Sequence, residues 1–264
     1  MKVGFIGLGN MATAMIGGII TKKIVKDSDV IGSDFSDEKR AEAKEKFKIS
    51  CLSSNAEVAS ASDILVLSVK PQVYEAVIGD IKDSVKDDQI IISIAPGKTI
   101  KWIGDSFGRD IKLVRCMPNT PALVGEGCTG VCRNSFVSDD EFDMVLDILN
   151  GFSKAIPVRE DQMDAVVAVS GSSPAYGFMM IEAMADAAVA EGLSRDQAYE
   201  FAAQAVYGSA KMVLETGRHP AQLKDMVCSP AGTTIDAVAV LEERGFRSSI
   251  IEAMRACADK SRNM

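Results

Sequence analysis

The sequence predicts an α/β protein in two parts, an N-terminal doubly wound parallel sheet followed by an all-helical C-terminal dimerisation domain. Three observations carry that expectation. A strand, a glycine turn and a helix start open the chain, short apolar runs then alternate with helical stretches, and past about residue 160 the strand pattern stops. The division is therefore placed at 1–160 and 161–264.

The opening stretch sets the chemistry. Val3, Phe5 and Ile6 form the strand, Gly7 permits the tight turn, Gly9 lets backbone approach a phosphate without a Cβ, and Ala12 lets the helix pack closely. The unpaired N–H groups and partial positive charge of that helix start make an anion site, so the unit reads as a dinucleotide binder.

Composition narrows the remaining classes. With 264 residues, 47% apolar and 25% charged, the chain has the balance of one large globular domain or two smaller ones. A formal net charge of −8 without a Lys/Arg cluster argues against a nucleic-acid partner. The N-terminal apolar run is short and broken by glycines, so it belongs to the strand and helix rather than to a secretion signal, and a cytoplasmic location is expected. Cys51, Cys116, Cys128, Cys132, Cys228 and Cys257 lack metal-ligand spacing and have only His219 to join them. They read as reduced, mostly buried small apolar residues, and no metal site is expected.

In order along the chain, Met15, Ile16, Ile19 and Ile20 share one face of the first helix. A second strand over 29–33 ends at Asp34, about 25 residues beyond Gly9, where an acid reads the 2′-hydroxyl of NAD and repels the 2′-phosphate of NADP. Ser33, Ser36, Lys39 and Arg40 nearby suit a 2′-phosphate, so these residues leave NAD(H) and NADP(H) both open. Asp34 and Ser36 equally suit caps of the charged helix 37–47. Strands follow at 49–52, 63–69 and 89–94, the last two apolar throughout, as strands covered on both faces are. Asn55 either reaches the adenosine side or caps a helix. Val69-Lys70-Pro71, Ala95-Pro96-Gly97 and, after a strand at 112–116, Met117-Pro118-Asn119-Thr120-Pro121 are three loops on the carboxyl edge, which together line a cleft. Strands 127–133 and 154–159 with a helix over 139–149 complete the first domain.

Helices are expected at 161–191, 194–216, 219–227, 233–244 and 246–261. The first is interrupted by Ser170-Gly171-Ser172-Ser173-Pro174 and carries Glu182 and Asp186, so no membrane span is expected. Its apolar residues, Met179, Met180 and Met184 among them, occupy nearly every face and need more burial than so small a domain supplies, which implies a homodimer with interlocking helical halves. Pro230 and Gly232 shape a turn, and the N–H groups of Gly232, Thr233 and Thr234 then open a helix. That is a second anion site, suited to a carboxylate, or a plain capped helix start.

Ser170 to Tyr176, Ala188 to Gly192, Gln204-Ala205, Ala210-Lys211-Met212, His219-Pro220, Leu223-Lys224-Asp225 and Ser229-Pro230-Ala231-Gly232-Thr233-Thr234 together resemble the pyrroline-5-carboxylate reductase family, which forms proline. The likeness extends over essentially the whole chain and includes the N-terminal glycine turn, Val69-Lys70-Pro71 and Met117 to Pro121. It implies a Rossmann-like domain in which Gly7, Leu8, Gly9, Asn10, Met11, Asn55, Ser68, Val69, Lys70, Pro71, Ile94, Ala95 and Pro96 contact the dinucleotide. Asp34 and Ser36, from their place after the second strand, and Asn119, from its loop on the carboxyl edge, complete the expected cofactor contacts. It further implies that Glu160, Thr233 and Thr234 contact a cyclic imine carboxylate beside Gly232, with Thr234 catalytic near the ring nitrogen. The expected reaction is NAD(P)H-dependent reduction of Δ1-pyrroline-5-carboxylate to L-proline, with NADP(H) favoured over NAD(H). The expected assembly is a homodimer through the helical domain, with a higher oligomer such as a decamer open. Two positions depart from the family pattern: Pro96, where alanine is common, and Asp34, where many members are neutral. The alternatives are a hydroxyacid dehydrogenase using Lys211 as acid–base and a non-catalytic dinucleotide sensor.

Overall fold

Short β-branched runs separated by capped helices build the first part of the chain, for which a computed structural model describes residues 1–263. The order is β1 (Val3–Ile6), α1 (Asn10–Thr21), β2 (Val30–Ser33), α2 (Asp37–Phe47), β3 (Ser50–Leu52), α3 (Asn55–Ala61), β4 (Ile64–Leu67), α4 (Tyr74–Ile81), β5 (Ile90–Ser93), α5 (Ile100–Phe107), β6 (Lys112–Met117), β7 (Gly127–Arg133), α6 (Asp139–Leu149) and β8 (Ser153–Pro157). One sheet holds all eight strands in the order β3-β2-β1-β4-β5-β6-β7-β8.

From β3 across to β6 every pairing is parallel, with Ile6 opposite both Ser33 and Leu67. β7 departs from the all-parallel expectation: it runs antiparallel to β6, with Cys116 opposite Val131, and β8 then runs parallel to β7. The reason is connector length. A parallel neighbour needs a crossover of about a dozen residues or more, usually a helix. Between β6 and β7 there is only a 3₁₀ turn, Thr120–Val124, whereas α6 supplies a crossover between β7 and β8.

Helices cover both faces of the sheet. Phe5, Val66, Ile92 and Val114 bury against Met15, Ile16 and Ile19 of α1 and Ile148 of α6. Ile6, Leu65, Leu67, Ile91 and Leu113 bury against Val58, Tyr74, Ile78, Ile103 and Phe107 of α3 to α5. Each fully buried side chain of this kind stabilises the fold by roughly 1.5–3 kcal/mol of transfer free energy.

The expected helix over 161–191 is broken into α7 (Met163–Val166), a π turn at Val167–Gly171, where the Ser172 N–H donates to the Val167 carbonyl at 2.8 Å, and α8 (Ser173–Ala190). Pro174 explains the break, because it has no N–H to continue the ladder and its ring disfavours helical geometry just before it. The other helices are α9 (Arg195–Thr216), α10 (Pro220–Val227), α11 (Thr233–Glu243) and α12 (Phe246–Arg262).

Two compact units result, Met1–Ser172 with Cys257–Met264, and Ser173–Ala256. Their break falls later than the division expected after residue 160. Met163 and Ala168 are buried in the first unit, and the Ser261 hydroxyl donates to Asp164 Oδ1 at 2.6 Å, so α7, the π turn and the end of α12 all belong with the sheet. In the second unit α8 packs on α9 through the small buried residues Ala185, Ala198 and Ala202. Phe178, Met179, Phe201, Leu214 and Met226 are each more than 60% exposed in the single chain. Such a helical surface calls for a partner. Among the described residues no helix is long and apolar enough to cross a membrane.

Candidate functional site

β1 lies between β2 and β4, so the chain leaves β1 and β4 in opposite directions and a crevice opens at the carboxyl edge of the sheet. The turn Gly7–Gly9 occupies that point. Gly7 has φ +93°, and a Cβ there would lie 2.8 Å from the Ser68 carbonyl oxygen. Three hydrogen bonds hold the turn from the neighbouring strand ends. The Gly7 N–H donates to the Ser33 carbonyl at 2.8 Å, the Ser68 hydroxyl donates to the Gly7 carbonyl at 2.7 Å, and the Leu8 N–H donates to Asp34 Oδ2 at 2.8 Å.

At Gly9 the situation is the reverse, because a Cβ there would meet nothing within 4 Å. Hydroxyl side chains cap α2 (Ser36), α3 (Ser54), α5 (Thr99), α6 (Ser138) and α9 (Ser194), but α1 begins on Gly9 with no side-chain acceptor. An uncapped helix start opening onto free space beside a fixed glycine turn fits the pyrophosphate of a dinucleotide.

At the β2–α2 corner the capping reading accounts for Ser36. Asp34 is 8% exposed, and both carboxylate oxygens accept main-chain amides, Leu8 on Oδ2 and Ser36 on Oδ1 at 2.9 Å. Its carboxylate braces the glycine turn through both oxygens. Ser36 is the helix cap, accepting the Lys39 N–H at 3.3 Å, and the Arg40 guanidinium bridges the Asp34 carbonyl and the Asp37 carboxylate. Phe35, which sequence reasoning passed over, is 95% exposed, with Lys39 Nζ 6.0 Å from its ring centre. The only signal for it was an apolar residue placed between the strand end and the cap. A cleft of about 640 Å³ runs from Leu8, Asn10 and Thr13 to Lys39 and the rest of the inner face of α2.

Other expected contacts divide in the same way. Leu8 is buried in the core and Met11 packs partly against it, so their side chains face inward. Ser54, not Asn55, caps α3; Asn55 Oδ1 accepts from the Ser33 hydroxyl at 2.8 Å and its amide nitrogen donates to Asp80. Ser68, Val69, Lys70 and Pro71 follow β4 beside the glycine turn, with Lys70 exposed. Ile94, Ala95 and Pro96 follow β5 on the same edge, Ala95 buried and Pro96 half-buried.

Asn119 is 8% exposed and engaged at both ends of its amide: Oδ1 accepts the Cys128 N–H at 2.8 Å and Nδ2 donates to the Ser170 carbonyl at 3.0 Å. It brackets the π turn to β7, so both ends of its amide are engaged within the protein. Glu160 Oε1 accepts the Ile100 N–H at 2.6 Å, at the start of α5, and a bond from the buried Arg115 at 3.0 Å. Arg115, also not foreseen, therefore ties β6 to the segment that leaves the sheet.

All six cysteines are free, two buried and four only half-buried, which corrects the expectation that most are buried. Burial raises the Cys51, Cys116 and Cys128 thiols, and burial followed by the nearby Glu160 charge pushes Cys132 up to about 12. At neutral pH such groups stay protonated and are poor nucleophiles.

In the second unit, Gly232 caps α11 without a side-chain acceptor, as Gly9 does α1. A Cβ on Gly232 would sit 2.3 Å from Ser229 Oγ, and the preceding Ala231 takes a left-handed φ of +56°. Thr233 is exposed and Thr234 half-buried at this start. Lys211, the acid–base candidate of the dehydrogenase alternative, is an exposed residue of α9 lying 3.5 Å from Glu215.

Comparison with known proteins covers both units. Residues 160–264 match the family described as pyrroline-5-carboxylate reductase dimerisation, and residues 2–97 match that described as NADP oxidoreductase coenzyme F420-dependent. The chain is 50% identical to a pyrroline-5-carboxylate reductase of Escherichia coli over 263 residues, covering 100% of the chain and 98% of the relative. It is 40% identical to the reductase of Methanosarcina acetivorans, covering 100% of the chain and 97% of that relative. Among solved structures, the Plasmodium falciparum reductase with NADP bound superposes with a TM-score of 0.90 at 35% identity, covering 100% of the chain and 97% of that structure. The Coxiella burnetii enzyme gives 0.93 at 34%, covering 99% and 97%.

Proposed function

The chain belongs to the pyrroline-5-carboxylate reductase family, and from that premise we propose that it reduces Δ1-pyrroline-5-carboxylate to L-proline with a nicotinamide dinucleotide, NADPH in preference to NADH. One observation carries the reading: the 50% identity runs through the whole chain, so it takes in both the glycine turn and the Ser229–Thr234 turn. The NADP bound to the Plasmodium falciparum relative supports the choice of cofactor.

When bound, the dinucleotide supplies the hydride. The protein's own contribution is orientation. The uncapped start of α1 holds the pyrophosphate, with Gly9 admitting it closely, and Gly7, Ser68 and Asp34 keep the turn in shape beforehand. At the start of α11, the N–H groups of Gly232, Thr233 and Thr234 take the substrate carboxylate. The Thr234 hydroxyl, which makes no hydrogen bond among the described residues, donates to the neutral imine nitrogen and passes to it a proton drawn from water, so that the ring is protonated when the hydride reaches its carbon. A protonated imine is already electrophilic, so general acid–base help of roughly 10²-fold from Thr234 is enough. Glu160 serves the site by fixing the start of α5 through the Ile100 amide, with Arg115 neutralising its charge.

The helical domain, taken functionally as 161–264, forms the homodimer, and assembly into a decamer is the finer form of this reading, to be read from sedimentation. The six free cysteines fit a reducing, cytoplasmic setting. Loss of nicotinamide absorbance with Δ1-pyrroline-5-carboxylate and NADPH tests the reaction. Thr234→Ala is expected to lower kcat roughly 10²-fold with the fold intact. A full rate in that variant would remove Thr234 from the mechanism.

A further inference from the structure

We propose that Lys39 selects NADPH over NADH in this chain, an inference that rests on the dinucleotide reading above. Five residues at the β2–α2 corner are candidates for telling a 2′-phosphate from a 2′-hydroxyl: Ser33, Asp34, Ser36, Lys39 and Arg40. Four are already engaged inside the protein. The Ser33 hydroxyl donates to Asn55, Asp34 receives the Leu8 and Ser36 amides, Ser36 Oγ receives the Lys39 amide, and Arg40 bridges the Asp34 carbonyl and Asp37.

Lys39 Nζ makes no ion pair among the described residues. Its side chain is exposed, its contact is the Phe35 ring 6.0 Å away, and it lines the 640 Å³ cleft that also reaches Leu8 and Asn10 of the glycine turn. A pyrophosphate at the start of a first helix places the adenosine ribose toward the end of the second strand, which here is Ser33 and Asp34. Three lysines line the cleft, Lys39, Lys46 and Lys48; Lys39 is the one on the first turn of α2, beside Asp34, and so is the cation placed for a 2′-phosphate, while the two amides on Asp34 offset the repulsion its carboxylate would exert.

The reading differs from acid-based discrimination in a measurable way. If Asp34 were the selector, neutralising it would shift the cofactor ratio; as a brace it affects both cofactors together. The experiment uses the full-length protein with Lys39→Gln, Lys39→Arg and Asp34→Asn, and compares kcat/KM for NADPH and NADH at low and high salt. Thermal melts accompany each variant, and Lys39 is exposed, so its substitutions leave the fold in place. Lys39→Gln is expected to lower the NADPH to NADH ratio about tenfold or more, the size of a lost charge-assisted hydrogen bond. Lys39→Arg is expected to keep most of the ratio. In wild type the NADPH KM is expected to rise with salt more steeply than in Lys39→Gln. A ratio unmoved in Lys39→Gln, or moved further by Asp34→Asn, overturns the proposal. A wild-type protein that turns over with neither dinucleotide overturns the functional reading instead, which is a separate result.

Discussion

Substituting alanine at Gly7 and at Gly9 separates folding from binding at one turn. At Gly7 the side chain meets two obstacles, a left-handed φ of +93° and a carbonyl oxygen 2.8 Å from the new Cβ. The backbone strain alone costs about 1–2 kcal/mol, and the overlap adds to it. Gly7→Ala is therefore expected to destabilise the protein by about 2 kcal/mol or more. Gly9 has φ −74° and ψ −173°, ordinary extended backbone, and its Cβ would find open space. Gly9→Ala is expected to leave stability equal or raise it by about 0.4–1 kcal/mol through the unfolded chain. The same methyl points into the space a pyrophosphate must enter, and losing one amide–phosphate bond of about 1.5–3 kcal/mol weakens dinucleotide binding roughly 10- to 100-fold. Thermal melts paired with titration of NADPH by nicotinamide fluorescence check both halves. Wild-type affinity in a folded Gly9→Ala protein would refute the placement of the pyrophosphate at α1.

Two further expectations concern stability. Ala231 occupies φ +56°, so Ala231→Gly relieves about 1–2 kcal/mol of strain and forfeits about 0.4–1 kcal/mol to the more flexible unfolded chain. A rise in Tm of about 1–3 °C follows, and no rise would mean the turn is not strained. Glu141 is held below the usual carboxylate range, first by the bond from Lys112 and then by the Ser138 amide. Because the folded value is the lower one, its stabilisation is complete above the unfolded pKa of about 4.5 and is lost as pH falls through the folded value. The Tm difference between wild type and Glu141→Gln is accordingly expected to be largest near neutrality and to shrink as the pH is taken below about 4.5.

What was legible beforehand were features written within a few residues of one another. Helix α6 runs Asp139–Leu149 as expected, because Ser138 and Glu141 form a capping box that marks its start locally. The glycine turn, the buried strands β4 and β5, and the Gly232 helix start were readable for the same reason. Ser36 as the cap of α2 was one of two readings the residues allowed, and the three-residue spacing of a cap favours it.

The remainder depended on partners far apart in sequence. Leu8 and Asp34 are 26 positions apart, Asn119 and Ser170 are 51 apart, and Arg115 and Glu160 are 45 apart. No local pattern states that an acid at a strand end will brace a turn 26 residues away. The sequence by itself determined the α/β class, the two helix starts built on Gly9 and Gly232, and the apolar helices that call for a second copy, since periodicity, glycine and capping act over one or two turns. Only the tertiary structure decided the reversed β7, the bracing of Asp34 and Asn119, and the exposure of Phe35 and Lys39. Those follow from which strand ends meet at the carboxyl edge, where a polar group must find its partner among whatever the packed sheet brings beside it.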